Sequence, residues 1–160
     1  MKLRISKAKT RQMTIIRNMM SLYLHDLSPF FSIELDDSGC YEYPYLDRYW
    51  TEMGRFPYLI LVNERICGFV LVRKKPKAGI DYEIEEFFVL KRYRKKGIGE
   101  SVARKLFRKY SGRWEVQCLR KNTPAISFWK SVIYKMVKEN YSETINKKQT
   151  ISIMLRFSSA

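Results

Sequence analysis

Residues 93–100 read YRKKGIGE, from Tyr93 to Glu100. Five of the six residues from Lys91 to Lys96 are basic, and two glycines, Gly97 and Gly99, follow one residue apart. Upstream, Asp81 to Leu90 reads as a strand. Downstream, Val102, Ala103, Leu106, Phe107 and Tyr110 recur at helical spacing. A strand therefore feeds a basic, glycine-bearing loop that opens a helix. The first turn of a helix carries unpaired N–H groups and a partial positive charge, which together bind anions. Gly97 and Gly99 leave the backbone bare for a close approach, and Arg94, Lys95 and Lys96 add charge. The pattern points to a phosphate-bearing ligand.

Known phosphate loops narrow the reading. Gly99 is followed by Glu100-Ser101, which excludes the G-x-x-x-x-G-K-[ST] loop. Gly97-Ile98-Gly99 is followed by Val102 where a dinucleotide fingerprint needs its third glycine. Neither HRD nor DFG occurs. What stands is R-x-x-G-x-G, from Arg94 to Gly99.

The flanking chain reads as follows. Residues 2–8 alternate as a strand, and residues 13–27 form a helix with Ile15, Ile16, Met19, Leu22, Tyr23 and Leu27 on one face. A polar, turn-rich stretch covers 28–43, and a short helix covers 45–53 with Leu46, Tyr49, Trp50 and Met53 on one face. Tyr58–Val62 and Ile66–Arg73 form a hairpin about Asn63-Glu64-Arg65, and Lys74–Gly79 makes a second turn. Trp114–Leu119 is another strand. Thr123-Pro124 opens a helix, with Thr123 as cap, continuing over 125–134. Met136–Ile145 and Thr150–Phe157 close the chain as two strands joined by residues 146–149. The order predicts an α/β (α+β) fold, a mixed, mostly antiparallel sheet with helices on both faces, in one domain over residues 1–160.

Composition excludes several classes. Of 160 residues, 46% are hydrophobic, enough for a sizeable core and against disorder. No apolar run reaches the ~18 residues of a membrane span. The start, MKLRISKAKTRQM, lacks the apolar centre of a signal peptide, so the expected location is the cytoplasm. Cys40, Cys67 and Cys118 show no metal-ligand spacing, so no metal is expected, and Cys67 and Cys118 read as buried. The only histidine, His25, reads as a cap or surface residue before it reads as a base. The net charge of +15 calls for an anionic partner or ligand.

The segment EEFFVLKRYRKKGIGESVARKLF resembles the acetyl-CoA-binding motif of the GNAT superfamily of N-acetyltransferases. Asn122-Thr123-Pro124-Ala125-Ile126-Ser127-Phe128-Trp129 is similar to the family's second motif, N-x-x-A-x-x-F-Y, and the element order fits the fold along the chain. The resemblance implies roles. Backbone amides from Lys95 to Glu100, with Arg94, Lys96, Gly97, Ile98 and Gly99, would hold the pyrophosphate of acetyl-CoA. The strand end Phe87-Phe88-Val89 would splay from its neighbour and bind the pantetheine arm, with Asn122, Phe128 and Trp129 along its path. Trp129 stands where the family often has a Tyr that protonates the leaving thiolate, and indole cannot be that acid. Tyr134 lies one helical turn further on; otherwise another group or water serves. The family's K-x-G-F ending is replaced by Ser131-Val132-Ile133-Tyr134.

The acceptor implied is an amine, small or peptidic, which needs a base. Glu85 and Glu86 precede the splayed segment and, by strand alternation, face opposite sides, so one looks into the cleft; Glu86 is preferred. Both also fit as solvated charges facing the basic turn. The resemblance implies that the loop after the first helix walls the acceptor site, where Asp26 and Tyr45, with Tyr41 and Tyr43, would lie. Two other readings share these residues: a basic nucleic-acid or ribosome-binding domain, although no RNP or zinc-finger pattern occurs, and a CoA-binding protein of this fold with weak catalysis.

Overall fold

The computed structural model describes residues 1–77, 79–147 and 152–159. Seven strands form one sheet: β1 Leu3–Lys7, β2 Arg55–Val62, β3 Arg65–Lys77, β4 Ile80–Val89, β5 Arg113–Leu119, β6 Tyr141–Asn146 and β7 Ser152–Ser158. The spatial order is β1-β2-β3-β4-β5-β7-β6, antiparallel except for β4 beside β5. Among the described residues, four α-helices complete it: α1 Met13–Leu27, α2 Arg48–Thr51, α3 Ile98–Lys109 and α4 Thr123–Val137. Helices α3 and α4 bury Val102, Leu106, Phe107, Trp129 and Ile133 on one sheet face against Val70, Val72, Ile84 and Trp114. Helices α1 and α2 bury Ile16, Met20, Leu24 and Tyr49 on the other, against Leu59, Phe69, Leu71 and Phe88. The mixed sheet with helices on both faces is the expected fold. Among the described residues, no helix is long and apolar enough to cross a membrane.

Local chemistry explains the joints. Asn63 (φ 48°) and Glu64 (φ 62°) make a two-residue hairpin turn of left-handed residues, the geometry that follows strand twist. Gly68 is obligatory: a Cβ there would lie 2.1 Å from the Phe88 carbonyl oxygen of β4.

Four expectations change. The turn expected at Lys74–Gly79 is narrower, because β3 runs on to Lys77 with a ladder irregularity between Lys74 and Lys77 that accommodates Pro76; Ala78 lies outside the described residues. The second helix spans only Arg48–Thr51: Leu46 and Tyr49 are buried, but Met53 is wholly exposed and Gly54 (φ 78°) turns the chain into β2. The strand expected from Met136 begins at Tyr141, because α4 continues to Val137, with Met136 and Val137 packed on the core, and stops at left-handed Lys138. The cap of α4 is Asn122, whose Oδ1 accepts from the Ala125 amide at 3.2 Å; Thr123 is the first helical residue. The expected 146–149 turn and the start of the last strand fall partly outside the described residues; Asn146 belongs to β6.

Candidate active site

Strands β4 and β5 pair only over Tyr82–Ile84 against Trp114–Val116, although β4 continues to Val89 and β5 to Leu119. Beyond that point β4 stays bonded to β3, from Val70↔Phe87 to Gly68↔Val89, and β5 stays bonded to β7. The two strands thus part in a V, as expected for Phe87–Val89. Their facing backbone groups are left without a strand partner on that side, and such groups require one. A cleft of about 1160 Å³ runs through the V.

One wall of the cleft is the basic loop. Among the described residues, no backbone acceptor takes an N–H from Lys95 to Glu100; the first helical bond is Ser101 N to Gly97 O at 3.0 Å. Lys95 (φ 59°) and Gly97 (φ 72°) are left-handed, which turns successive amides to one side. A Cβ on Gly97 meets no atom within 4 Å, so the space above the loop is open, whereas one on Gly99 meets Phe128 at 3.2 Å. These bare amides at the N-terminus of a twelve-residue helix, with Lys95 and Lys96 exposed beside them, fit a pyrophosphate. Ile98 is buried core, and Glu100 pairs with Lys135 at 2.7 Å.

Arg94 is fixed. Its Nε donates to the Val89 carbonyl at 2.6 Å and its guanidinium pairs with Asp26 at 2.5 Å. Asp26 also meets Lys91 at 3.0 Å. Burial alone would raise the Asp26 carboxyl, but Arg94 and Lys91 hold it below the usual range. Asp26 lies at the cleft, yet its carboxylate is spent on Lys91 and Arg94 of the basic loop and is not open to an amine.

The floor is aromatic. Trp129 is 5% exposed and lies edge-on to Phe87 at 5.0 Å and to Phe128 at 4.9 Å. Phe87 and Val89 side with α3 and α4, and Phe88 with α1. Asn122 lines the cleft beside them. Tyr134 does not: it is 48% exposed, with Lys138 over its ring at 5.5 Å.

The glutamates correct the alternation argument. Leu71 pairs with Glu86 and Val72 with Ile84, so Glu85 is an extra residue in β4, a bulge. Ile84 packs with α3 and α4, while Glu83, Glu85 and Glu86 all face the α1 side. Glu85 accepts from the Tyr49 hydroxyl and pairs with Arg55 at 3.1 Å and Arg73 at 3.3 Å. Glu86 instead has no cation partner among the described residues. It accepts from the Tyr43 hydroxyl at 3.0 Å, and the Tyr23 hydroxyl lies close enough to favour its ionised form. Burial pushes its carboxyl up to about 7, with help from Glu85 and Glu83, against the lowering effect of the two tyrosines. A carboxyl that titrates near neutrality in a cleft is suited to accept a proton.

Sequence reasoning named Glu86 but missed Tyr23, which read only as helix core, and left Tyr43 as one of three tyrosines of the loop. Tyr41 lies 3.2 Å from His25 instead, and His25 is exposed. Tyr45 is 54% exposed at the cleft rim, with Arg48 over its ring at 4.5 Å. Cys67 and Cys118 are buried as expected, and burial pushes the Cys118 thiol up to about 12. No group of three or more potential ligands could hold a metal among the described residues.

Known proteins share this architecture. An acetyltransferase from Thermus thermophilus is similar at TM-score 0.73 and 10% identity, over 99% of this chain and 97% of that one. The ribosomal-protein-S18-alanine N-acetyltransferase of Escherichia coli is similar at TM-score 0.66 and 10% identity, over 99% and 95%. The Arabidopsis thaliana protein NAA60, solved with a bisubstrate analogue, is similar at TM-score 0.63 and 14% identity, over 98% and 98%. No curated protein matches the sequence. Residues 18–132, well over half of the chain, match the acetyltransferase (GNAT) family. With the V-shaped opening and its amide loop, that match makes the chain a member of the GNAT family of acetyltransferases.

Proposed function

We propose that the protein moves an acetyl group from acetyl-CoA to a primary amine by direct attack in a ternary complex. One observation carries the reading: a single cleft joins the unbonded amides of 95–100, the parted strands and the half-buried Glu86 carboxyl. Acetyl-CoA supplies an activated acyl group. The loop amides and nearby lysines hold its pyrophosphate. The free edge of Phe87–Val89 bonds the pantetheine amides, and its N–H groups polarise the acyl oxygen. The amine nitrogen bonds to the acetyl carbon, the carbon–sulfur bond breaks, and Glu86 receives the proton the nitrogen loses. Water protonates the departing thiolate, because Trp129 is no acid and Tyr134 points to solvent. The raised thiol of Cys118 argues against an acyl-enzyme. Three free cysteines fit a reducing compartment such as the cytoplasm.

The test is thermal unfolding with acetyl-CoA, with ATP and a short RNA as anion controls. At 100 times the dissociation constant a ligand adds about 2.7 kcal/mol. The reading requires a shift with acetyl-CoA that exceeds both controls and is lost in Gly97→Trp. Equal shifts with all three anions would favour a general nucleic-acid surface and defeat the reading.

A further inference from the structure

The acceptor half of the cleft looks acidic in sequence and is not acidic in space. Glu83, Glu85 and Glu115 all line it. Glu83 pairs with Arg73 and with Lys75 at 2.6 Å. Glu115 pairs with Lys75 at 2.8 Å and Arg156 at 2.7 Å. Glu85 pairs with Arg55 and Arg73. Three carboxylates thus meet four cations, drawn from β2, β3 and β7. Lys91, Arg94 and Lys95 line the phosphate side. Of the cleft's carboxylates, only Glu86 and the exposed rim residue Glu42 have no ion pair among the described residues. A polycation entering here finds its counter-charges already taken.

The opposite wall is apolar. The chain between α1 and α2 brings Phe30, Phe31, Ile33, Pro44 and Tyr45 to the same cleft in which its Tyr43 touches Glu86. Phe31 and Ile33 are half-buried against the core that contains Phe88. Glu86, the inner of these two carboxyls, therefore adjoins a greasy wall, with the Tyr43 hydroxyl standing where an amine N–H would donate.

We propose that the acceptor is a primary monoamine bearing an aromatic or branched apolar group. Its nitrogen takes the place of the Tyr43 hydroxyl at Glu86, and its apolar group seats against Phe30, Phe31 and Ile33. The products are its acetamide and the CoA thiol. The inference rests on the acetyl-transfer reading and narrows it. Such an amine is either a small arylalkylamine or the N-terminus of a peptide beginning with an apolar residue.

The test measures, by calorimetry on the full chain, dissociation constants for CoA and for three conjugates joined to its sulfur through an acetyl bridge. The conjugated amines are phenylethylamine, a Leu-initiated tripeptide and spermidine. Burying the apolar group should make at least one of the first two bind about tenfold or more tightly than CoA, with the spermidine conjugate within about threefold of CoA. The tighter of the first two identifies the source. Phe31→Glu should remove the gain while leaving CoA affinity unchanged, which shows the variant folded. A spermidine conjugate that binds tightest, or no gain for any conjugate over CoA, overturns this inference and leaves the cofactor reading standing. Failure of CoA itself to bind would defeat the cofactor reading.

Discussion

Tyr43 donates its hydroxyl to Glu86 at 3.0 Å, across 43 residues of sequence. The bond ties the chain between α1 and α2, which walls the proposed acceptor side of the cleft, to the bulged strand that carries the proposed base. Position of the wall and protonation of the base are thereby coupled.

Glu86 should govern the pH dependence of the reaction. Its carboxyl is raised to about 7 and must be ionised to accept a proton, so kcat/KM should climb with pH to a plateau, with a midpoint near that value. Glu86→Gln should lower kcat by about 10²–10⁴ and abolish that limb, without changing acetyl-CoA affinity. A steady-state pH profile of both proteins checks this; an unchanged limb in the variant refutes the role.

Tyr43→Phe removes a bond that favours the ionised carboxyl, so the Glu86 midpoint should rise above that of the wild type. Activity at pH 7 should fall several-fold, by about 3–10, and recover at higher pH. A purely structural role for Tyr43 would lower activity equally across the profile.

The same half-buried carboxyl should shape stability. Its folded value of about 7 exceeds the ordinary 4.5, so the native state holds more protons between those values and stability falls as pH rises through that window. Glu86→Gln should lose this fall and unfold about 2 °C or more above wild type at pH 8. Scanning calorimetry at pH 5 and pH 8 measures it.

Asp26→Asn should cost about 1 kcal/mol at neutral pH, a modest figure because Lys91 and Arg94 are partly in water. The folded carboxyl lies below its ordinary value, so the contribution is present at neutral pH and is lost as pH falls below about 4. With Arg94 released, the phosphate loop should bind acetyl-CoA about fivefold more weakly. Denaturant titration and calorimetry read the two effects.

Glu115→Ala should be the severest of these changes. The side chain is 4% exposed and shared by Lys75 and Arg156; Lys75 keeps Glu83 and Arg156 is 41% exposed, so the loss should cost about 1–3 kcal/mol. A chemical denaturation midpoint close to that of wild type would contradict the ion-pair ladder.

The loop of unbonded amides could be read from YRKKGIGE because everything it needs is contiguous: a strand end, two glycines, basic side chains and the first turn of a helix. Element order and the two-faced sheet followed from periodicity for the same reason, since apolar spacing is local. Boundaries slipped where apolar runs suit helix and strand alike, as at Met136, or where a proline sits in a strand irregularity, as at Pro76. The acceptor half depends on long-range contacts. No local pattern announces the Glu85 bulge, which turns Glu86 to the same face as Glu83. None brings Tyr23 and Tyr43 to Glu86, or Arg55, Arg73, Lys75 and Arg156 to the other glutamates. A charge in sequence has a sign, but its effect depends on which opposite charges the fold sets beside it and how much water it removes. Thus the proposed cofactor side is written along the chain, while the proposed acceptor side arises only where separate strands and a loop meet.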